Sequence, residues 1–266
     1  MDQKKEHIIE IGRKLFTEKG YLNTSMQDIA EAGNISKTTL YKLFHSKEEL
    51  SLVIICYMND QMRSNVEHLM ERGDLPPLQM LKACISERLN GLSNRMRFMD
   101  EFIFAQSSEQ REKYFIYINK INFDSFILFH RIIKHVFALA DDALAGELTL
   151  TLTGLLKEIS YIDWSSQAGL DQEAAVDYIT DSLQATLEAR RGKNTFLTPE
   201  ILARAHEAHA HNMENLKPVF QKKRLMCDLK TALADYEKAG SDDKLAEAER
   251  ILHQLKSLQS NIKHKE

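Results

Sequence analysis

Residues 25–44 read SMQDIAEAGNISKTTLYKLF, and this stretch decides the fold of the N-terminal part of the chain. Two runs with helical spacing flank Gly33-Asn34, and these two residue types adopt a left-handed backbone more readily than most others. Five apolar side chains are spaced to fill the wedge between two crossing helices: Ile29, Ala30, Ile35, Leu40 and Phe44. The pattern predicts a helix-turn-helix, whose second helix can lie in the major groove of DNA.

The residues around this motif indicate where the neighbouring helices begin. Thr24 with Gln27 resembles a capping box that opens a helix at Met26. Ser36 can cap the next helix, and Ser46 can cap a longer one after it. We therefore expect three short helices followed by a long fourth helix.

Further residues at fixed spacing carry a resemblance to a known family: Leu15-Phe16, Gly20-Tyr21, Thr24-Ser25, Asp28-Ile29-Ala30, Ile35-Ser36-Lys37, Thr39-Leu40-Tyr41, Phe44 and Ser46-Lys47-Glu48-Glu49-Leu50. With these residues, the segment 8–50 resembles the N-terminal domain of the TetR family of bacterial transcriptional regulators. The chain departs from the family at Ile11-Gly12, at Gly33-Asn34 and at Thr38, where paired alanines, Ala-Gly and a glycine are usual. None of these changes removes a group that DNA binding needs.

The resemblance implies a set of residues that face DNA: Thr24, Ser25, Ser36, Lys37, Thr38, Thr39, Tyr41, Lys42 and Lys47. Lys37 and Thr38 would lie nearest the base edges, and the tyrosine would contact sugar or a thymine methyl. Thr24, Ser25 and Lys47 would hold phosphates at helix starts, where backbone N–H groups favour an anion. Alternatives stay open: the capping residues act only as caps, the tyrosine belongs to the core, and the lysines form a solvated face.

Composition and charge limit the other function classes. The chain has 266 residues, 43% of them hydrophobic and 28% charged, with a net charge of −4, which fits an ordinary globular protein. Residues 36–46 nevertheless contain Lys37 and Lys42 and no acid, which is compatible with DNA contact. Three widely spaced cysteines predict reduced thiols, and no apolar run is long enough for a bilayer, so we expect a cytoplasmic protein.

The middle of the chain reads as helix throughout, with breaks expected near residues 94 and 108. It contains no catalytic motif, so we expect neither an enzyme nor a cofactor. Eight of the 12 phenylalanines lie between residues 98 and 137. Most of them should form core, but some could line an apolar cavity for a small hydrophobic or aromatic effector, which the family resemblance implies. The candidate lining residues are Met62, Met80, Cys84, Phe98, Phe102, Phe123, Phe126 and Trp164.

Two later helices, from Leu144 and after Asp171, have broad apolar stripes. In the family, the last two helices of this domain pack against a second copy as a four-helix bundle, which implies a homodimer on a palindromic site. Packing within one chain is the alternative. The candidate interface residues are Leu148, Leu152, Leu155, Ile159, Val176, Ile179 and Leu183.

The C-terminal part extends beyond what the family needs. Apolar residues step by three and four on both sides of Gly240-Ser241, which predicts an antiparallel helical hairpin. The two stripes consist of Met226, Leu229, Leu233 and Tyr236 before the turn and of Leu245, Ala248, Leu252, Leu255, Leu258 and Ile262 after it. His206, His209 and His211 lack a regular metal-binding spacing, so we expect no metal. We predict an all-α chain with a DNA-binding domain at 1–62, an effector and dimerisation domain at 63–195, and an extension at 196–266.

The sequence favours a DNA-binding repressor that a small molecule releases from its operator. The alternative is a helical interaction protein that uses the C-terminal hairpin to bind a partner and binds DNA weakly or not at all.

Overall fold

The structure is a computed structural model that describes residues 3–166, 169–208 and 240–263, together with residues 225, 229, 232, 233, 236 and 237. Within the helices, the side chains of residues 91–95, 109, 112, 113, 116, 164 and 258–263 lie outside the described part.

All regular elements of the described residues are helices, which confirms the predicted all-α fold. Residues 199–208 are also helical. The helices with defined bounds are α1 (Gln3–Lys19), α2 (Met26–Ala32), α3 (Lys37–Leu43), α4 (Lys47–Glu71), α5 (Pro77–Phe104), α6 (Ser108–Val136), α7 (Asp142–Ser166), α8 (Gln172–Arg190) and α9 (Asp242–Lys263).

Local signals place most helix starts correctly. Ser36, Ser46 and Asp171 each accept a hydrogen bond from a backbone N–H in the first turn, as predicted. The expected break near residue 94 is wrong, because α5 runs continuously from Pro77 to Phe104. No proline follows Pro77 in this helix, and its two ends pack into two different hydrophobic clusters, which favours one continuous helix.

The chain divides into two compact units, residues 1–205 and 206–266. In the first unit, one cluster of buried side chains joins α1–α4 to the C-terminal end of α5 and the first half of α6. We call it the N-terminal cluster. It contains Ile8, Phe16, Tyr21, Ile29, Leu40, Phe44, Leu50, Ile54, Phe98, Phe102, Tyr114 and Ile121.

The rest of the first unit is built around a second cluster, which we call the C-terminal cluster. It joins the second half of α4, the start of α5, the end of α6, and helices α7 and α8. Its members include Met62, Val66, Leu81, Ile85, Phe129, Ile132, Leu148, Leu152, Ile179 and Leu183. Helices α4, α5 and α6 contribute to both clusters, so they connect the two parts physically.

The chain after α8 stays with the first unit up to residue 205. Glu147, which is buried on α7, accepts hydrogen bonds from the Arg190 Nε at 2.8 Å and from the Phe196 backbone N–H at 2.5 Å. Leu202 packs near Gly146, where any added Cβ would lie 3.3 Å from a leucine methyl. These contacts hold residues 195–202 against α7.

The second unit has its own small cluster of Leu225, Leu229, Ala232, Ala248 and Ile251. The predicted stripes contain Leu229 and Ala248, but the predicted Leu233 and Leu252 are exposed. The buried positions are therefore shifted by one residue at these two points, to Ala232 and Ile251. The predicted stripe residues Met226, Leu258 and Ile262 lie outside the described side chains.

None of the helices in the described residues combines the length and the apolar character that a bilayer span requires.

Candidate nucleic-acid interface

The turn between α2 and α3 has the geometry that its sequence predicts, with the two residues in separate roles. Asn34 takes the left-handed backbone with a φ of 49°, while Gly33 is right-handed. Gly33 instead lies in a tight space, because a Cβ there would lie 2.6 Å from the Ile8 Cδ1 of α1 and 3.1 Å from the Ile29 carbonyl oxygen. The turn thus fixes α3 against α2 and packs both on α1.

Helix α2 begins with a capping box, but the residues differ from those predicted. Ser25 and Asp28 form it: the Asp28 N–H donates to the Ser25 Oγ at 3.1 Å, and the Ser25 N–H donates to the Asp28 carboxylate at 2.7 Å. The Ser25 hydroxyl also donates to that carboxylate at 2.7 Å. These bonds lower the pKa of Asp28. Both donors of Ser25 are thus engaged, so a phosphate here would meet the following N–H groups of Met26 and Gln27.

Thr24 does not face solvent, which corrects its predicted phosphate contact. It is only 1% exposed, and its hydroxyl donates to the Gly20 carbonyl at 2.8 Å. Thr24 therefore stabilises the turn between α1 and α2 from inside.

Helix α3 presents one polar face to solvent. Lys37, Thr38, Tyr41 and Lys42 are exposed, whereas Leu40 is fully buried and anchors the opposite face. This exposed face contains two cations and no acid.

Two of the predicted DNA-facing residues on α3 bond to each other. The Ser36 Oγ accepts from the Thr39 N–H at 3.1 Å and lies 2.8 Å from the Thr39 hydroxyl. Thr39 is half-buried. Their first role is therefore to cap α3, as the alternative interpretation held for Ser36.

Lys47 lies at the start of α4, with its Nζ 3.9 Å from the centre of the Tyr21 ring. Burial lowers the pKa of this ammonium, and the negative charges of Glu48, Glu101 and Asp28 act in the opposite direction.

A cleft of about 640 Å³ brings several of these residues together. The start of α2, the face of α3 and the start of α4 form its walls. Of the predicted DNA-facing residues, Thr24, Ser25, Lys37, Tyr41 and Lys47 line it, while Ser36, Thr38, Thr39 and Lys42 lie outside its lining.

The set of predicted DNA-facing residues lacks the other lining residues, namely Leu22, Asn23, Met26, Gln27, His45, Ser46 and Glu48. Their positions in the sequence could have identified them, because they lie next to the predicted starts of α2 and α4. Residues next to a helix start line the same surface as that start. Among them, Leu22 is 63% exposed.

The predicted effector-site residues do not lie in one place. Phe98 and Phe102 belong to the N-terminal cluster, where Phe98 stacks on Phe16 with ring centres 4.9 Å apart. Met62, Met80 and Cys84 belong to the C-terminal cluster. Phe98 and Phe102 are therefore no longer candidates for the effector site, because they form part of the core that packs against α1.

The remaining aromatic candidates lie on α6 and α7. Phe123 and Phe126 are half-buried, with ring centres 6.4 Å apart. Trp164 is in α7, and its side chain lies outside the described part.

The predicted dimer residues also need correction. Leu148, Leu152, Val176, Ile179 and Leu183 are buried within the chain itself, and the other two predicted residues pack partly buried against the same cluster, namely Leu155 and Ile159. Packing within one chain, the alternative left open by the sequence, accounts for these stripes. The outward faces of the two helices carry other apolar residues: Leu150, Tyr161 and Ile162 on α7 and Tyr178 on α8.

His206 is exposed, while His209 and His211 lie outside the described residues. Among the described side chains, no three His, Cys, Asp or Glu residues gather as a metal site would require.

A tight turn joins α2 to α3, α3 exposes a basic face, and both helices pack on α1. This geometry defines a helix-turn-helix DNA-binding domain. Residues 8–54 match the family model described as "Bacterial regulatory proteins, tetR family". Over this segment the chain matches the N-terminal domain of the TetR family of transcriptional regulators.

Individual relatives of the chain are also named as HTH-type transcriptional regulators. The chain is 22% identical over 254 residues to the uncharacterized HTH-type transcriptional regulator YerO of Bacillus subtilis, covering 92% of this chain and 86% of the relative. It is 29% identical over 90 residues to the HTH-type transcriptional repressor DhaR of Mycobacterium sp., covering 33% of this chain and 46% of DhaR. These relatives are named as regulators and not as enzymes.

A solved structure is similar over most of the chain. The transcriptional regulator of the TetR/AcrR family from Thermobifida fusca is 25% identical, with a TM-score of 0.50. The match covers 71% of this chain and 100% of that structure, so part of this chain has no counterpart there.

Proposed function

We propose that the chain is a homodimeric repressor that binds a palindromic operator and leaves it when a small effector binds. The observation that carries this proposal is the exposed basic face of α3 beside a cleft bordered by the starts of α2 and α4. The name of the relative DhaR supports repression as the sign of regulation.

In this proposal α3 enters the major groove. Lys37 and Thr38, at its N-terminal end, read base edges, and Tyr41 contacts sugar or a thymine methyl. Lys42 and Lys47 contact phosphates, together with the N–H groups at the starts of α2 and α4.

We propose that residues 1–62 bind DNA, residues 63–195 bind the effector and dimerise, and residues 196–266 form an added extension. The exposed apolar residues of α7 and α8 support a dimer through these helices. Leu150, Tyr161, Ile162 and Tyr178 replace the buried residues as interface candidates, because a protomer surface must be accessible before it can pair. The location proposed for such a regulator is the cytoplasm.

The effector site would lie among the helices of the C-terminal cluster. Asn59 on α4 is only 6% exposed, its Oδ1 has no hydrogen-bond partner, and it lies one turn before Met62. A buried carbonyl without a donor costs about 1–3 kcal/mol. An apolar effector with one hydroxyl or N–H group would satisfy this acceptor while it contacts apolar side chains.

The test of DNA binding is fluorescence anisotropy with DNA from upstream of the chain's own gene, at two salt concentrations. We expect saturable binding that survives excess nonspecific DNA and weakens with salt. Replacing Lys37 and Tyr41 together by alanine should abolish it. Binding that is unchanged by this double substitution, or absent from every duplex selected from random sequences, would contradict the proposal.

The dimer is tested separately by analytical ultracentrifugation. Ile162→Asp should convert a dimer to a monomer, whereas Leu22→Asp, an equally polar change on an exposed leucine of the DNA face, should leave the dimer intact. A native chain that sediments as a monomer at micromolar concentration would contradict this part.

The effector site is tested by a thermal-shift screen of small apolar alcohols, phenols and amides. A hit that raises the melting temperature of the native protein and weakens operator binding should do neither in Asn59→Leu. If that variant responds like the native protein, Asn59 is not part of the effector site.

A further inference from the structure

The turn between α1 and α2, residues 20–22, is attached to the C-terminal end of α5 and its corner with α6, residues 97–106. We call this second segment the α5–α6 corner. We propose that Glu101 in this corner is a positioning residue for DNA binding, which sets the wall of the cleft where Lys47 meets phosphate. This inference rests on the proposed DNA-binding function and adds to it a hydrogen-bonded contact between α5 and the turn that leads into α2.

The carboxylate of Glu101 lies directly against the turn. One of its oxygens accepts a hydrogen bond from the Leu22 backbone N–H at 3.3 Å, and the other accepts one from the Arg97 Nε at 3.3 Å. Gly20 has a φ of +85°, and a Cβ there would lie 2.6 Å from a Glu101 oxygen. Only glycine therefore permits both this backbone conformation and this approach.

The residue between these two anchors is held by the same corner. The Tyr21 ring packs edge-on against Phe102 with centres 5.4 Å apart, and its hydroxyl bonds to the Gln106 side chain. Burial, the largest cause, raises the pKa of Tyr21 to about 12. All three turn residues thus lie against the α5–α6 corner.

The corner is itself fixed by hydrogen bonds. The buried Gln106 donates through Nε2 to the Phe102 carbonyl at 2.9 Å. Arg111 on α6 donates to the carbonyls of Gln106 at 3.0 Å and Phe104 at 3.1 Å. A displacement of the end of α5 would therefore carry the turn with it.

The turn leads directly into the DNA cleft. Leu22 and the residues up to Gln27 line the cleft, and so does Lys47, whose ammonium lies over the Tyr21 ring. The position of that ring thus determines where the ammonium lies. Since the other end of α5 is buried in the C-terminal cluster, through Leu81 and Ile85, a change there has a direct path to the cleft.

The experiment compares two neutral replacements of Glu101 in the full chain. Glu101→Gln keeps an acceptor for the Leu22 N–H, and Glu101→Leu has similar size but no acceptor. Both remove the same negative charge, so the general electrostatic effect on DNA is matched. We expect the glutamine variant to bind the operator duplex within about twofold of the native chain and the leucine variant about tenfold more weakly.

Salt dependence separates positioning from a general loss of stability. Loss of the Lys47 phosphate contact should reduce the slope of log affinity against log salt by about 0.9 per protomer. We expect this reduction in Glu101→Leu and in Lys47→Met, with no further reduction when the two are combined. Glu67→Leu, which removes an acid paired with Arg131 at 3.8 Å on the α4–α6 surface, is the matched control and should leave the slope unchanged.

A second variant covers the case in which Glu101→Leu does not fold. Tyr21→Phe removes only the hydroxyl that bonds to Gln106, and we expect binding about threefold weaker with a smaller salt slope. Equal affinities and slopes for the glutamine and leucine variants, or for Tyr21→Phe and the native chain, would overturn the positioning role alone. A native chain that binds no operator would overturn the proposed function as well.

Discussion

The two hydrophobic clusters of the first unit differ in composition and in the demands they place on the backbone. The N-terminal cluster is rich in aromatic rings, and a chain of pairwise ring contacts joins Phe16, Tyr21, Phe98, Phe102 and Tyr114. In the same part of the unit, side chains lie close to Gly12, Gly20 and Gly33. The C-terminal cluster is mainly aliphatic and contains residues of five long helices.

This difference indicates which part of the unit needs precisely positioned helices. The short helices α2 and α3 hold the exposed basic face, so large rings and fixed turns supply the burial and the geometry. Long helices can reach the same stability with aliphatic side chains spread over many turns.

The largest expected effect comes from removing an aromatic ring of the N-terminal cluster. Phe102→Ala should lower the free energy of unfolding by about 3–5 kcal/mol, because the ring is fully buried against Tyr21 and Tyr114. Urea denaturation measures this change. Phe104→Ala, two residues along the same helix and 72% exposed, is the control and should change stability by less than about 0.5 kcal/mol. Similar losses in both variants would contradict the assignment of Phe102 to the core.

A smaller effect tests the close approach at the turn. Gly20→Ala should destabilise by about 2 kcal/mol or more, because it adds a clash with Glu101 to the cost of a positive φ. Gly192→Ala has a similar φ of +71° but nothing within 4 Å of the added Cβ, so it should cost only about 1 kcal/mol. Thermal unfolding of both variants isolates the clash, and equal losses would mean that Glu101 moves aside freely.

The next prediction separates two residues that sequence reasoning treated alike. Lys37→Met should weaken operator binding about tenfold and leave stability unchanged, since this side chain is exposed on α3. Thr24→Val should do the reverse, with a loss of about 1 kcal/mol in stability and little change in affinity, since its hydroxyl bonds inside the turn. Fluorescence anisotropy measures operator affinity and urea denaturation measures stability for both variants. A large loss of affinity in a folded Thr24→Val variant would contradict the buried role of Thr24 and support its predicted phosphate contact.

The smallest effect concerns pH. Hydrogen bonds from Ser25 lower the pKa of Asp28 below its ordinary 3.8, so its carboxylate stabilises the folded chain above that value, and this stabilisation is lost as the pH falls through the lowered value. Asp28→Ala should therefore be less stable than the native chain at pH 7, with a difference that shrinks as the solution is acidified below about pH 4. Asp28→Asn keeps an acceptor without this titration. A difference between Asp28→Ala and the native chain that does not change with pH would contradict the capping role.

Local features of the sequence were sufficient for much of the DNA-binding domain. The helix-turn-helix, the caps at Ser36 and Ser46 and the left-handed residue at the α2–α3 turn could be predicted, because each depends on residues within four positions of one another. Even so, the cap of α2 was assigned one residue too early. Thr24 and Ser25 are both good caps, and only the burial of Thr24 decides between them.

Contacts between distant segments decided the rest. The sequence determined that residues 98–126 carry many phenylalanines, but whether Phe98 and Phe102 meet an effector or the back of α1 depends on the length and crossing of α5. Likewise, apolar stripes on α7 and α8 were visible in the sequence, while their inward orientation followed from packing against α5 and α6.

The sequence by itself therefore determined the helical fold, the helix-turn-helix and the resemblance of residues 8–54 to the TetR family. Caps, turns and apolar periods act over a few residues and leave a direct imprint on the sequence. Only the tertiary structure decided which side chains are accessible and that Glu101 meets the turn at Gly20, 81 residues earlier in the chain. Such contacts depend on how helices cross, and helical periodicity alone does not specify which face meets which neighbour.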